Sequence, residues 1–435
     1  MRATGTGIDW RGCALALMLA ALAAGCGGGG NGADAGATGA VPTGTVAPDD
    51  PGDTPPAPPP AAPDSPAPER AVRVVELAKD LNSPWSLAFL PDGRMLVTER
   101  AGRLRLRNAD GSPANGGADE ICCLPAVDAA GQGGLLDVVL DPAFAANGRI
   151  YFSFSEAAGG LNGTAVGRAV VDLASRRLSG VTVIYRQQPK VAGSTGHYGS
   201  RLVFDRQGML FVTMGERQID SQNVYAQDLT RGNGKVVRIT TDGAPAPGNP
   251  GFGVSGAQPE IWSYGHRNPQ GAALHPDTGE LWASEHGPQG GDEVNRVLPG
   301  RNYGWPVISW GQYYGTTTAW GEGTAKAGME QPVTYWETID GAPWVPGSAK
   351  SSIAPSGMAF YTADAIAQWK GNLFVGALAG TALWRLVLEG NAVVSRQRLL
   401  AERGERIRDV RQGPDGWLYL LTDGAGGKLL RLRTD

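Results

Sequence analysis

A short span near the middle of the chain is rich in residue types that bind charged ligands and hard metal ions. Residues 265–271 are Gly-His-Arg-Asn-Pro-Gln-Gly, and residues 284–288 are Ser-Glu-His-Gly-Pro. The carboxylates Asp292 and Glu293 follow shortly after. Arginine is a permanent cation, amides both donate and accept hydrogen bonds, and carboxylates with main-chain carbonyls are the ligands that hard cations prefer. The span therefore predicts a site for an anionic cofactor and a metal ion.

Six loosely repeated segments must position this span. Each segment consists of a short apolar strand, a turn and a second apolar strand, and the six lie at residues 85–99, 134–153, 200–213, 270–285, 356–376 and 408–422. Such strands, with almost no helical periodicity, predict an all-β fold. Repeated four-stranded antiparallel sheets close best as a six-bladed β-propeller, because closure leaves few exposed strand edges. A pair of β-sandwiches is the alternative.

The two ends of the domain and the chain's histidines add detail to this prediction. An early strand at residues 72–77 could complete the blade that the C-terminus begins. His275 lies in a Leu-His-Pro-Asp turn and is predicted to be structural. His197 precedes a strand of the third repeat. A loop histidine is more often a turn residue than a catalyst, but the Arg267 loop beside the next repeat favours a functional role for His197.

The chain from residue 71 to residue 435 resembles the soluble PQQ-dependent glucose/sorbosone dehydrogenase family, and within it the aldose sugar dehydrogenase branch. Each matching motif is weak alone, but together, in the family's order, they are specific. The motifs lie at residues 131–136, 197–202, 265–271, 284–293, 302–306 and 406–409. The resemblance implies a six-bladed propeller, with PQQ and calcium as cofactors.

The resemblance also implies a reaction, in which an aldose is oxidised at C1 to its lactone. His197 matches the family's base, which removes the C1 hydroxyl proton while hydride passes to C5 of PQQ. Imidazole suits this task because its pKa lies near neutral pH. Arg267 matches the arginine that steadies charge on the quinone oxygen. Glu216 stands where the family has an aspartate close to the base, and its extra methylene leaves the geometry of that contact open.

The resemblance further implies a set of cofactor contacts. PQQ carries three carboxylates, so its pocket should supply cations and amides. The matching positions are Gln132, Asn268, Arg406 and Arg408, with Ser352 as an approximate match. Arg406 and Arg408 would point to one face of a strand because their spacing is two residues. Ala379 stands where sugar-oxidising members can carry a lysine, which predicts weaker PQQ binding or altered electronics.

Calcium sites follow from the same resemblance. The carbonyls of Gly287 and Pro288 match those that hold the calcium ion bridging to the cofactor. Glu293 and the Tyr303 carbonyl match a second, structural calcium site. A charged turn is the simpler interpretation of Asp292 and Glu293.

Aromatic residues crowd the segment after the fourth repeat. They are Trp305, Trp310, Tyr313, Tyr314 and Trp320. Aromatic rings stack on sugars, so these side chains could form a substrate wall. They could equally pack this insertion against a blade, and the sequence leaves both interpretations open.

The N-terminus is typical of a bacterial lipoprotein. Residues 1–25 combine Arg2 and Arg11 with a short apolar run, and they end before Cys26 in a lipobox-like Leu-Ala-Ala-Gly-Cys. We expect signal cleavage, lipidation of Cys26 and a periplasm-facing anchor, with Gly27 favouring the outer membrane. An ordinary secretory signal is the alternative. Residues 26–70 are rich in Gly, Ala and Pro and predict a disordered tether.

The remaining composition narrows the function classes. Net charge is −4, which gives no reason to expect a nucleic-acid partner. Cys122 and Cys123 are interpreted as a buried pair of thiols, with a vicinal disulfide as the alternative.

A PQQ-dependent aldose dehydrogenase with an external electron acceptor is the leading hypothesis. The rivals are a non-catalytic propeller scaffold and a calcium-dependent lactonase.

Overall fold

The computed structural model describes residues 72–434, and the predicted signal peptide, Cys26 and the tether lie outside this range. The described chain forms 24 strands. They are β1 (Val72–Asn82), β2 (Pro84–Phe89), β3 (Met95–Glu99), β4 (Arg103–Arg107), β5 (Glu120–Ile121), β6 (Leu135–Leu140), β7 (Arg149–Ala158), β8 (Leu161–Asp172), β9 (Arg177–Arg186), β10 (Leu202–Phe204), β11 (Leu210–Met214), β12 (Lys235–Ile239), β13 (Ile261–Tyr264), β14 (Pro269–Leu274), β15 (Leu281–Glu285), β16 (Asp292–Val297), β17 (Thr334–Trp336), β18 (Pro355–Phe360), β19 (Leu373–Ala377), β20 (Ala382–Glu389), β21 (Ala392–Leu399), β22 (Ile407–Gln412), β23 (Leu418–Thr422) and β24 (Ala425–Thr434).

Helical structure in the described range is limited to short segments. There is one α-helical turn, α1 (Phe144–Asn147), and the 3₁₀ segments are Ala114–Gly117, Asp220–Ala226, Ala367–Trp369 and Ala401–Arg403. Within residues 72–434 no helix is long and apolar enough to cross a membrane. The prediction of an all-β fold is confirmed.

The strands form six four-stranded antiparallel sheets arranged as a propeller. Blades 1 to 5 are β2–β5, β6–β9, β10–β13, β14–β17 and β18–β21, each in chain order. Blade 6 has the order β1-β24-β23-β22. The six predicted repeats correspond to the first two strands of blades 1 to 5 and to β22 and β23 of blade 6. The innermost strands, which are β2, β6, β10, β14, β18 and β22, contact their neighbours around the centre.

The ring is closed by its two ends. β1 pairs antiparallel with β24 in a register that places Val72 opposite Thr434 and Asn82 opposite Ala425. Blade 6 therefore takes one strand from the N-terminal side of the domain and three from the C-terminal side. This confirms the predicted closure, which ties the domain ends together and leaves few unpaired edges.

The hydrophobic core is divided among the gaps between blades. Six apolar clusters lie one in each gap between adjacent sheets, and a seventh small cluster joins Trp85, Leu136 and Tyr198. Because blades pack face to face, a middle strand is covered on both sides. β11, with the sequence Leu-Phe-Val-Thr-Met, is accordingly buried at all five residues. Continuous burial explains why such strands lack clear polar alternation.

A network of charged residues links the first strands of four blades near the propeller centre. Asp137 on β6 accepts hydrogen bonds from Arg201 Nη1 at 3.1 Å and Arg411 Nη2 at 3.0 Å. Asp409 on β22 pairs with the same two arginines at 3.1 and 2.9 Å. Asp137 also binds the hydroxyl of Ser86 on β2. Because Asp137, Asp409 and Arg201 are buried, their pairing with one another and with the half-buried Arg411 offsets charges that would otherwise destabilise the closed ring.

The interpretation of Cys122 and Cys123 as a buried pair is wrong. Both are exposed free cysteines, and their sulfur atoms lie 2.7 Å apart. They follow β5, the outermost strand of blade 1. The Cys122 backbone pairs with residues 176–178 at the start of β9 in blade 2, and both side chains are left in solvent. An outer strand packs on fewer neighbours, which is why apolar side-chain type alone misplaced them.

Candidate active site

His197 and Glu216 meet at one edge of blade 3. The loop before β10 carries His197, and Glu216 follows the end of β11, so the antiparallel pairing of these strands brings both residues to the same edge. His197 Nδ1 lies 2.6 Å from Glu216 Oε1, and both side chains are buried. A carboxylate at this distance holds the proton on Nδ1 and leaves Nε2 as the basic nitrogen. The extra methylene of glutamate therefore does not prevent the predicted contact.

The backbone around His197 is specialised for this close approach. His197 has a φ of 45°, in the left-handed region that few residues other than glycine adopt. A Cβ atom at Gly215 would lie 2.1 Å from the His197 carbonyl oxygen, so only glycine fits there. Gln132 Oε1 accepts a hydrogen bond from the His197 backbone nitrogen at 3.0 Å. Strained backbone held by several contacts is typical of functional sites.

Arg267 and Asn268 approach from the loop before β14. The Glu216 backbone nitrogen donates to the Arg267 carbonyl at 2.9 Å, which joins the two loops. Arg267 Nη1 donates to the Gly287 carbonyl at 2.6 Å, and Glu285 accepts from the Arg267 backbone nitrogen at 2.7 Å. Arg267 Nε and Asn268 Nδ2 are both buried without a protein partner. Unpaired buried donors are costly, which fits a ligand that accepts from them.

Burial and the neighbouring charges set the protonation state of His197. Burial lowers the pKa of His197 below its ordinary value, and the positive charge of Arg267 lowers it further. The Glu216 carboxylate opposes both effects and raises the pKa. The net direction is downward, so the imidazole is neutral at pH 7 and able to accept a proton.

A cavity of about 300 Å³ lies near these residues. Its lining comes from blades 1, 4, 5 and 6 and from the loop that carries Gln132, and consists of Trp85, Arg100, Gln132, Gln270, His286, Ala354, Leu378, Arg406, Arg408 and Asp423. The size is at the lower end of the usual range for small-molecule sites. Three guanidinium groups and one carboxylate make the cavity suited to a polyanionic ligand.

Arg406 and Arg408 share one carboxylate, that of Asp423, which agrees with the prediction that both side chains point to one face. Arg406 Nη2 lies 3.0 Å and Arg408 Nη2 3.2 Å from Asp423. Arg408 Nη1 also donates to Gln270 Oε1 at 2.8 Å. Burial raises the pKa of Asp423, but the charges of Arg408 and Arg406 outweigh this effect and lower it below its usual value. Asp423 is thus held in its ionised form and fixes both arginines at the cavity wall.

Arg100, Gln270, His286 and Asp423 also line the cavity, although the sequence analysis gave them no role. Arg100 donates to the carbonyls of Gly133 and Gly131, so it holds the loop that carries Gln132. Their position in the repeat could have identified three of these four residues. Arg100, His286 and Asp423 are each the first residue after the second strand of a blade, as is Leu378. Ala379 supplies no cation where some family members have a lysine. Arg100, from blade 1, is the third cation of the cavity lining beside Arg406 and Arg408.

Ser352, a predicted cofactor contact, has a different partner here. Its hydroxyl donates to Asp292 Oδ1 at 2.6 Å, and it does not line the cavity. Asp292 also accepts from the Gly287 backbone nitrogen at 2.9 Å. Burial raises the pKa of Asp292 to about 6, and these donors oppose the rise. Asp292 thereby fixes the Gly287 turn, and the Ser352 hydroxyl bonds the same carboxylate oxygen as the Gly287 nitrogen.

The other predicted metal residues lie around a second histidine. Glu293 is opposite Glu285 in the β15–β16 register. Glu285 Oε1 lies 3.0 Å from His266 Nδ1, and the Tyr303 ring stacks on His266 with centroids 4.5 Å apart. Glu293 and Tyr303 are therefore neighbours of one buried pair. Within residues 72–434, no group of three or more His, Cys, Asp or Glu side chains is placed to hold a metal ion.

The other two histidines differ in role. His275 packs against Trp282 and Phe360, which confirms that it is structural. His286 lines the cavity, and its Nε2 donates to the Pro355 carbonyl at 2.6 Å. Burial lowers the pKa of His286 to about 3, and the nearby His197 and Arg267 contribute. His286 is therefore a neutral hydrogen-bonding group and not a fourth cation.

Known proteins and solved structures are similar to this chain in sequence and in fold. Aldose sugar dehydrogenase YliI of Escherichia coli is 46% identical over 365 residues, which is 83% of this chain and 92% of that protein. The crystal structure of the apo-form of the E. coli soluble aldose sugar dehydrogenase is 44% identical, with a TM-score of 0.76 and coverage of 84% and 100% of the two chains. The PQQ-bound aldose sugar dehydrogenase of Streptomyces coelicolor is 30% identical, with a TM-score of 0.67 and coverage of 85% and 100%.

The family assignment follows from a match along most of the propeller. The model of the glucose/sorbosone dehydrogenase family matches residues 81–431, which run from the end of β1 into β24. The predicted resemblance is confirmed by this match and by the relatives above. This chain belongs to the glucose/sorbosone dehydrogenase family.

Proposed function

We propose that this protein is a PQQ-dependent dehydrogenase that oxidises the C1 hydroxyl of an aldose to the lactone. The observation that carries the proposal is the buried His197–Glu216 pair, joined to Arg267 and set near a cavity with three arginines. When bound, PQQ supplies the carbon that accepts hydride from C1. Electrons then leave to an external acceptor of unidentified chemistry.

The roles of the protein residues follow from their contacts. His197 Nε2 accepts the hydroxyl proton, because Glu216 holds the other ring nitrogen in its protonated form. Glu216 then stabilises the imidazolium that results. Arg267 is held by the Gly287 carbonyl and keeps one buried nitrogen unpaired, so its charge is available to a developing oxyanion.

The cavity charges fit a cofactor with three carboxylates. Arg100, Arg406 and Arg408 supply three positive charges and Asp423 removes one, which leaves the lining with a net charge of +2. Gln132 is an exposed amide beside the base, and Asn268 offers a buried, unpaired donor. These groups would hold the carboxylates through charge-assisted hydrogen bonds.

We propose calcium as the second cofactor. The carbonyls of Gly287 and Pro288 would bind the ion next to PQQ, and Glu293 with the Tyr303 carbonyl would bind a structural ion. The Glu285 and Glu293 carboxylates stand opposite each other on paired strands. A hard cation would offset the repulsion between two such groups.

Reconstitution tests the function directly. The purified full chain is mixed with PQQ and calcium chloride, and PQQ absorbance and dye reduction are followed with a panel of aldoses. We expect PQQ binding that weakens in EDTA and dye reduction only with sugars that have a free C1 hydroxyl. The matched control is glucose against its methyl glycoside, in which C1 is blocked.

Two results would contradict the proposal in different ways. If PQQ does not bind in the presence of calcium, a non-catalytic scaffold becomes the better hypothesis. If the methyl glycoside is oxidised as fast as glucose, the reaction does not occur at C1.

The Glu216→Gln variant tests the tuning of the base. Glu216 raises the pKa of His197, so its loss should lower that pKa and shift the acid limb of the kcat/KM profile to lower pH. The maximal rate should also fall, because a weaker and less well oriented base accepts the proton more slowly. The measurement is kcat/KM from pH 4 to pH 9. Asp364→Asn, which changes an exposed carboxylate, should leave the profile unmoved. A shift to higher pH in Glu216→Gln would contradict this assignment.

From the sequence alone, we propose that Cys26 carries a lipid and that residues 26–70 tether the propeller to a membrane facing the periplasm, the outer membrane in particular. A tethered dehydrogenase would deliver electrons to an acceptor at that membrane.

A further inference from the structure

Two insertions beside blade 4 expose most of the large apolar side chains on the described surface. Seven large hydrophobic residues are exposed within residues 72–434. Four of them, Tyr313, Tyr314, Ile339 and Val345, lie between β16 and β17 or between β17 and β18. Exposed apolar side chains gathered in one region mark a binding surface more often than scattered ones do.

Ring stacking separates the aromatic residues of the insertion into two groups. Trp305 stacks on Trp320 with centroids 4.8 Å apart, and Tyr313 stacks on Trp320 at 4.4 Å. Trp310 stacks on Tyr335 at 3.8 Å. These four members of the insertion have a packing role. Tyr314 has no ring partner in the described chain and is 63% exposed.

Tyr314 is nevertheless held in a defined position beside the reactive groups. Arg267 Nη2 donates to the Tyr314 hydroxyl at 3.2 Å. The next residue, Gly315, donates its backbone nitrogen to Gln289 Oε1 at 2.7 Å, and Gln289 Nε2 donates to the Thr316 carbonyl at 2.9 Å. The ring is therefore fixed at its tip by Arg267 and at its base by the loop that follows Gly287 and Pro288.

We propose that the Tyr314 ring is a wall of the sugar site, on which the C–H face of the aldose packs while its C1 hydroxyl faces His197. The proposal rests on the proposed function. A pyranose presents polar edges and an apolar face, and tyrosine offers a large rigid surface with few rotatable bonds to order. The hydrogen bond from Arg267 fixes the ring before the sugar arrives, which reduces the entropic cost of binding. Tyr314 is thus assigned to substrate affinity and to the choice among aldoses.

Two substitutions at one position separate the ring from its hydroxyl. In Tyr314→Ala, we expect KM for the best aldose to rise about tenfold, the loss that follows from removing an aromatic anchor, with kcat changed less than about threefold. In Tyr314→Phe, the ring remains and KM should stay within about threefold of the wild type. The PQQ dissociation constant, from absorbance titration, should be unchanged in both. Val345→Ala, which truncates a similarly exposed side chain in the adjacent insertion, should leave KM and kcat unchanged.

The outcomes that overturn the proposal are distinct from failure of the proposed function. If Tyr314→Phe and Tyr314→Ala lower kcat equally, the residue acts through Arg267 and not as a wall. If the wild type binds PQQ but oxidises no aldose, the proposed function fails, and the wall is tested by calorimetric titration of the PQQ-loaded chain with glucose. Binding that is lost in Tyr314→Ala and kept in Tyr314→Phe supports the wall. No glucose binding, or equal binding in wild type and Tyr314→Ala, overturns it.

Discussion

Replacing His197 with alanine is expected to lower kcat for aldose oxidation by about 10²–10⁴-fold, the range for loss of a general base. PQQ binding should survive, because His197 does not line the cavity and its side chain contacts Glu216. The measurement is kcat by dye reduction together with the PQQ dissociation constant from absorbance. The separation of these two quantities identifies a base, since a misfolded variant would lose both.

Two additions sharpen this experiment. His275→Gln replaces a histidine that packs against Trp282 and Phe360, away from the cavity, and should keep its kcat. Added imidazole should restore part of the activity of His197→Ala if the missing group is a proton acceptor. If His197→Ala retains kcat within tenfold of the wild type, another residue is the base and the mechanism proposed above is wrong.

Replacing Asp137 with alanine should have the largest effect on stability. Asp137 accepts from Arg201, Arg411, Ser86 and the Leu202 backbone nitrogen. Its loss leaves the buried Leu202 nitrogen without this acceptor and leaves Asp409 as the one carboxylate of the network for both arginines. Removing one partner of a buried ion network costs about 3–5 kcal/mol. We expect a fall of this size in the free energy of unfolding, measured by urea denaturation.

The matched control is a carboxylate in an exposed ion pair. Asp242→Ala breaks a pair with Arg168 in which the carboxylate is 75% exposed, and such pairs contribute about 0–1 kcal/mol. If Asp137→Ala is no less stable than Asp242→Ala, the central network does not hold the blades together. Closure would then depend on the apolar clusters and on the β1–β24 pairing alone.

The position of Tyr314 bears on how the site distinguishes sugars. Arg267 contacts the Gly287 carbonyl on one side and the Tyr314 hydroxyl on the other. One guanidinium therefore links the proposed calcium loop to the proposed sugar wall. Changes in the insertion that carries Tyr314 could alter substrate choice without moving His197 or Glu216, which are held by blade 3.

Much of the architecture could be predicted from residue pattern alone. Strand, turn and strand recur six times, and the strand at residues 72–77 stands outside these repeats, so it was available to complete the C-terminal blade. His197 and Arg267 precede the first strands of successive blades, which places them at one edge without further information. The family resemblance implied that Glu216 lies close to His197 but left the geometry open, and the 2.6 Å distance depends on the close approach that Gly215 allows.

The sequence by itself determined the ring of six sheets, the order in which His197 and Arg267 precede the first strands of successive blades, and the pair of arginines near the C-terminus. Only the tertiary structure decided that Arg100, Gln270 and Asp423 line one cavity, because these residues are more than a hundred positions apart and meet only when the ring closes. It also decided that Ser352 binds Asp292, that the Cys122 and Cys123 side chains face solvent, and that Tyr314, unlike its four aromatic neighbours in the insertion, has no ring partner in the described chain. Side-chain type fixes what a residue can bind, but burial and partners depend on which blade lies beside it.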